Sequence, residues 1–396
     1  MKKELPSGIK IFFILVVLLG FYFLSSDAGL SEHPRKIVVF KKGFDKEADQ
    51  DALLKKHGAV KIKHLKLING TAVHLPSKEE KALREKGEIL RIDEDIVIHA
   101  TGDKAKKKPK NPQELTWGID RIDADLAWEE ENTGSGIRVA ILDTGIDLEH
   151  PDLMDNIKGN VNMIKPFKNG NDNNGHGTHV AGIVAAIDND IGVIGTGPEI
   201  SLYAVKVLDN QGRGWLTDLI DGLDWCIDYG MQVVNMCFGS SEDNESFHDA
   251  IFKAYDAGII LVASAGNNGE NGGAIEYPAK YIEVIAVSAI DEGDNFSSFS
   301  SWGTEIDLAA PGVDIKSTYK NGSYRIMSGT SMSAPHVTGT VALILKTQVG
   351  NYDSFIPNGI WDPEEVREKL MATAEDLGLD PDKQGAGLVR ADLAVK

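Results

Sequence analysis

The sequence has only two cysteines, Cys226 and Cys237, in 396 residues. That is too few for a disulfide framework, and their spacing does not tell whether the two pair. No internal repeat marks an array or solenoid. Long apolar runs are equally scarce. The longest, IFFILVVLLGFYFL (11–24), holds fourteen uncharged residues. A membrane span needs roughly 20, so this run suits the core of a secretory leader better. Lys2, Lys3 and Lys10 precede it, and Ser26-Asp27-Ala28 offers small residues for cleavage. Residues 1–28 therefore read as a signal peptide, with an uncleaved membrane anchor as the other reading. In both cases the bulk of the chain crosses the membrane, and the protein touches it only through this leader.

Basic charge is scarce where most of the chain lies. Residues 113–396 carry 18 Lys+Arg against 45 Asp+Glu, and the whole chain is at −19. Such a surface repels phosphates and excludes nucleic acid as a partner. Residues 31–112 have the opposite balance, 20 against 13. A basic segment and an acidic one in the same chain attract each other.

After the leader, residues 34–101 run strand, helix, strand, strand, helix, strand. KIVVF (36–40), VKIKHLKLI (60–68), TAVHL (71–75) and RIDEDIVIHA (91–100) are the strands. DKEADQDALLKKHG (45–58) and SKEEKALREKG (77–87) are the helices, the second with a capping-box pattern at Ser77. This order predicts a small ferredoxin-like α+β domain. GDKAKKKPKNP (102–112) lacks large apolar residues and reads as an exposed linker. From 113 to 396 the pattern is α/β. IRVAILDTGI (137–146), SLYAVKVL (201–208), VVNMCFG (233–239), GIILVASAGN (258–267) and VIAVSAI (284–290) are continuous apolar runs, as expected of strands buried on both faces. HGTHVAGIVAAI (176–187) and SFHDAIFKAYDAG (246–258) are helical. A doubly wound, mostly parallel sheet follows, with ligands bound beyond the carboxyl ends of its strands.

Three positions at such ends combine into one chemistry. Asp143 closes a strand in AILDTGI, His176 opens a helix in NNGHGTHVAG, and Ser331 opens another in SGTSMSAPH. Gly145, Gly175, Gly177 and Gly329 lie beside them. A serine hydroxyl needs a base to attack a carbonyl, a histidine can be that base, and an aspartate can hold its tautomer. The helix start at Ser331 and the amide of Asn267, in SAGNNG, can serve developing negative charge. A capping serine is the plain alternative for Ser331 alone. Pro335 fits if it lies in the first helical turn, where no intrahelical bond is lost. His179, one turn from His176, reads as a buried structural residue, because no third zinc-type ligand is near it.

DTG followed by HPDL, then HGTHVAG, then GTSMSAPH resembles the subtilisin family of serine proteases, in its order Asp, His, Ser. The resemblance covers about 113–396, and 34–101 resembles the family's inhibitory, chaperone-like propeptide, which ends in a similar HA-plus-one sequence. It implies a subtilisin-like fold and a secreted endopeptidase made as a self-processed precursor. Asp143, His176 and Ser331 would be the triad; Asn267 and Ser331 would form the oxyanion hole, with Thr330 assisting. Polypeptides would be substrates and the chain's own propeptide an intramolecular inhibitor; a monomer is expected. An extended peptide would pair with the loop 212–214, at Gly212 and Gly214, on one side and with the strand 235–239, at Cys237, Phe238 and Gly239, on the other. Trp215 and Leu216 would add apolar walls, and Glu276 would lie at the base of the specificity pocket, favouring Lys or Arg. A structural calcium would be held by Gln113, Asp152, Asn189 and the carbonyls of Ile187, Ile191 and Val193, all oxygen donors suited to a hard cation. Cys237 stands where the family often has serine, so a thiol would be reachable from the cleft. The rivals are a catalytically idle peptide-binding module on the same fold and an esterase.

Overall fold

The computed structural model describes residues 33–102, 112–352 and 358–396, and the backbone of Lys106 and Lys107. The 1–28 leader and most of the 102–112 linker lie outside the described residues. Among the described residues no helix is long and apolar enough to cross a membrane.

The chain divides into two compact units between Asp95 and Ile96. In the first, β1 (Arg35–Phe40), α1 (Glu47–Lys56), β2 (Val60–Leu65), β3 (Gly70–His74), α2 (Ser77–Arg84) and β4 (Ile89–Glu94) follow the expected order. The antiparallel sheet runs β2-β3-β1-β4, the ferredoxin-like arrangement. Alternate residues of β1, Val38 and Phe40, meet Leu54 of α1 and Leu83 of α2 in one apolar cluster. The capping box expected at Ser77 does not form. Pro76 is the N-cap, and its carbonyl, not a side chain, takes the Glu79 N–H. A capping box is present elsewhere, at Asp362 and Glu365 ahead of the helix Pro363–Ala372.

The stretch 91–100, expected as one strand, is two. Asp95 turns back to Arg35 through an ion pair at 2.6 Å, and a separate strand, β5 (Val97–Ala100), belongs to the second unit. That unit continues with β6 (Arg138–Asp143), β7 (Ile157–Asn162), α3 (His176–Ala185), β8 (Ser201–Lys206), β9 (Arg213–Trp215), α4 (Leu216–Asp228), β10 (Val233–Met236), β11 (Phe238–Gly239), α5 (Glu245–Asp256), β12 (Ile260–Ser264), β13 (Val284–Ile290), β14 (Leu308–Pro311) and α6 (Thr330–Ile344). Seven strands form a parallel sheet in the order β14-β13-β12-β10-β6-β8-β7. Strands β10, β12 and β13 are buried at every residue, which explains their unbroken apolar runs. The core lies between the sheet and helices α3 and α6, both buried along their full length.

Winding reverses at β6, whose neighbours are β8 on one side and β10 on the other. The carboxyl end of β6 is therefore the topological switch point, where α/β sheets bind ligands. Asp143 is its last residue. The expected strand 233–239 breaks at Cys237: β10 stays in the parallel sheet, while β11 leaves it to pair with β5.

Candidate active site

Asp143 is fully buried, and its carboxylate accepts the Thr144 N–H at 2.7 Å. His176 is the first residue of α3, brought against β6 by Gly177, where a Cβ would stand 2.3 Å from the Gly145 carbonyl. His176 Nδ1 lies 2.8 and 2.9 Å from the two Asp143 oxygens. Its Nε2 lies 3.1 Å from the carbonyl oxygen of Thr101. A carboxylate and a carbonyl can only accept, so both contacts are hydrogen bonds only when both ring nitrogens carry hydrogen. Burial opposes a charged imidazole, but Asp143 and the Thr101 carbonyl outweigh it and raise the His176 pKa.

Ser331 is the second residue of α6 and does not cap it; the N-cap is Gly329. The hydroxyl lies 2.6 Å from Thr101 Oγ1 and donates more weakly to the Cys237 carbonyl at 3.4 Å. Imidazole and hydroxyl thus meet on one residue, Thr101, and among the described residues no hydrogen bond joins them directly. Pro335 is not in the first turn, as expected from sequence, but inside the helix. Lacking an N–H, it leaves the Ser331 carbonyl without its usual partner four residues on. The Cys237 thiol donates to that carbonyl at 3.4 Å and accepts from Asn235 Nδ2 at 3.1 Å. Cys237 is fully buried and its thiol pKa is pushed up by burial, so it is not open to reagents from the cleft. Asn267 accepts from the Thr330 N–H at 3.0 Å and the Thr330 hydroxyl at 3.1 Å, which pins its amide oxygen and leaves Nδ2 beside Gly329.

The remaining cleft residues converge on the segment 96–101. Strand β5 lies antiparallel between β9 and β11, with Ile98 opposite Gly214, Val97 opposite Trp215, His99 opposite Gly239 and Ala100 opposite Phe238. The Ala100 N–H donates to Gly212 at 2.8 Å, the Leu216 N–H to Ile96 at 3.0 Å, and the Thr101 N–H to Cys237 at 3.2 Å. Glu276 lines a cavity of about 530 Å³ together with Thr101, Gly239, Asn267 and Asn268.

Sequence reasoning missed two charged groups that hold this end of the sheet. Asp172 is buried and accepts the N–H groups of Asn174, Gly175 and Thr178 and the hydroxyls of Thr144 and Thr178, at 2.6–3.0 Å. It shapes the loop that delivers His176. Lys206, buried in β8, donates to the carbonyls of Thr144 and Leu208, and burial lowers its pKa. The signal was a single lysine inside the apolar run SLYAVKVL. His179 donates through Nε2 to the Arg325 carbonyl at 3.1 Å, and burial pushes its pKa down to about 3. It is a neutral structural residue.

Residues 134–388 match the Subtilase family of peptidases. The chain belongs to the subtilase family. Subtilisin E from Bacillus subtilis is 36% identical over the whole of this chain and 99% of its own length. An alkaline protease from Alkalihalobacillus alcalophilus is 36% identical over the full length of both. A thermostable alkaline protease from Halalkalibacterium halodurans is 36% identical over 94% of this chain and 96% of its own. This subtilase is a serine endopeptidase, a hydrolase acting on polypeptides. An idle peptide-binding module on the same fold finds no support.

Proposed function

We propose that this subtilase is exported as a precursor, cleaves itself after Thr101, and then hydrolyses polypeptides outside the cell as a calcium-stabilised monomer. The observation that carries this reading is β5. The chain's own extended segment occupies the cleft between β9 and β11 and delivers Thr101 to both His176 and Ser331. Pairing of this kind uses main-chain hydrogen bonds, so many sequences can follow the same path.

In turnover, His176 Nε2 takes the Ser331 proton as Oγ bonds to the substrate carbonyl carbon. Asp143 keeps Nδ1–H in place and stabilises the imidazolium. Charge moves onto the carbonyl oxygen, where Asn267 Nδ2 and the N–H of Ser331 at the start of α6 are the available donors. The imidazolium then passes its proton to the leaving nitrogen as the C–N bond breaks. Water repeats the sequence on the acyl-enzyme. After the cut, a segment 96–101 that stays paired with β9 and β11 keeps other peptides out of the cleft, so residues 34–101 inhibit until they leave. The opposite charge balance of the two parts favours their association before that. Intact mass spectrometry of the secreted protein tests the assignment: the mature form should begin at Gly102. A start beyond residue 112 would remove β5 from the processing site.

Calcium is proposed at Gln113, Asp152 and residues 187–193. Asp152 is fully buried, its oxygens accept from Asn189 Nδ2 and the Val193 N–H at 3.0 Å each, and burial pushes its pKa up to about 6. Gln113 Nε2 lies 2.9 Å from the Ile187 carbonyl, and Asn189 Oδ1 accepts the Ile191 N–H. One carboxylate, two side-chain amides and the carbonyls of Ile187, Ile191 and Val193 supply oxygen donors of the kind such an ion takes, which supports the reading. When bound, calcium would neutralise Asp152 and tie these segments together. At a thousand-fold excess over its dissociation constant, that binding contributes about 4 kcal/mol. Chelation is expected to lower the melting temperature by about 10 °C, and to have no effect on Asp152→Ala. An unchanged melting temperature on chelation would remove the ion from the account.

Glu276 is proposed to favour Lys or Arg before the cleaved bond. Its Oε1 accepts from Asn268 at 2.8 Å, while Oε2 is buried without a hydrogen-bond partner. A cation reaching down the cavity would pair with it. Glu276→Gln is expected to lower the lysine-to-leucine ratio of kcat/KM about tenfold, and an unchanged ratio would refute the role.

A further inference from the structure

Residue Ser264 ends β12, on the floor of the cleft, and is 1% exposed. Its described hydrogen bond runs to Thr101 Oγ1, at 2.8 Å. The same Thr101 oxygen lies 2.6 Å from Ser331 Oγ. Three hydroxyls therefore form a buried chain, Ser264–Thr101–Ser331, with the middle member contributed by the segment in the cleft. A methyl group at the position of Thr101 Oγ1 would leave two buried hydroxyls facing carbon. An unmet buried hydroxyl is costly, so such a site discriminates against a ligand that lacks the matching group.

We propose that Ser264 is a specificity-determining residue, reading a β-hydroxyl on the residue whose carbonyl faces His176. The peptide class it selects ends in threonine or serine at that position, and the first such peptide is the chain's own segment. The contact acts on binding. It holds the Thr101 side chain against the nucleophile. Self-cleavage would then leave a segment ending in Thr101 that stays bound to the same three-hydroxyl chain. This is compatible with the role of Glu276, which lies along the adjoining cavity and serves longer side chains. The inference rests on the reading that Thr101 precedes the cleaved bond.

Valine has the shape of threonine without the hydroxyl, which makes the test direct. Pentapeptides VIHAT and VIHAV, the sequence 97–101 and its Thr→Val analogue, are compared as competitive inhibitors of the enzyme matured from the full chain. VIHAT is expected to bind about tenfold more tightly than VIHAV. In Ser264→Ala the ratio should fall to about threefold or less, since one of the two hydroxyl partners is gone. Each ratio comes from one preparation, so partial misfolding does not disturb it. The wild-type ratio stands as a test even if the variant fails to mature. Equal inhibition by both peptides in the wild type, or a ratio untouched in Ser264→Ala, overturns the inference alone. Failure of both peptides to inhibit at millimolar concentration overturns the placement of Thr101 at the cleavage site, and the inference with it.

Discussion

Replacing Ser331 with alanine is expected to lower kcat on peptides by about a million-fold, and to leave KM nearly unchanged once a separate protease has cut residues through Thr101 from the variant and they have been removed. The size of the loss is that known for a subtilisin triad, not a quantity fixed by the distances in this protein. The split between kcat and KM does follow from the geometry. In the proposed mode, peptide binding is carried by the edges β9 and β11, through the backbones of Gly212, Gly214, Phe238 and Gly239, which hold the chain's own segment 97–100. None of these contacts uses Ser331. The substitution also leaves α6 intact, because Gly329, not Ser331, is its N-cap and the helix is buried throughout. The lost contacts are those of Oγ to Thr101 and to the Cys237 carbonyl. Steady-state kinetics beside a melting curve separates the effects. A kcat within tenfold of the wild type would mean that another group attacks the carbonyl.

Asp143→Asn is expected to lower kcat/KM by about 10⁴, the loss typical when the imidazole is left in the wrong tautomer. The amide presents an N–H where the carboxylate presented only acceptors, so Nδ1 becomes the acceptor and Nε2 keeps the proton it must give up. The pH dependence moves as well. His176 has a raised pKa because Asp143 and the Thr101 carbonyl overcome burial. Without the carboxylate, burial dominates and the pKa falls, so the acid limb of kcat/KM shifts to lower pH. Stability follows the same sign. A raised histidine pKa in the folded state contributes stability that is complete below the unfolded value, near 6.5, and is lost as pH rises through the folded one. The wild type should therefore exceed the variant most in acid, and the gap should narrow toward alkaline pH. A gap that widens as pH rises would contradict the ion pair at 2.8 Å.

Much of this site was legible because its residues sit in short, locally constrained motifs. Asp143 closes a buried strand, and His176 and Ser331 open buried helices, so periodicity and glycine placement locate all three. The β5 residues were harder to place. VIHA continues the apolar alternation of β4, and only the long-range pairing with β9 and β11 separates the two strands. Pro335 was misjudged because the helix begins at Thr330, a position set by the Asn267 contact to its N–H and not by any local cap signal. Cys237 looked accessible because it lies in a cleft motif. Its side chain, however, points beneath Ser331, where it meets a carbonyl that Pro335 had left free. Asp172 and Lys206 carry no motif, and both are held through Thr144, far from them in sequence and just past the end of β6.

The central claim is that Ser331, with His176 as its base, cuts the chain after Thr101. Intact masses of the wild type and Ser331→Ala, each produced alone in the same host, test it most directly. The account predicts a wild-type species beginning at Gly102 and a variant that still carries residues through Thr101. A variant recovered with the same Gly102 start would contradict it, since the cut would then come from something other than this chain's own serine.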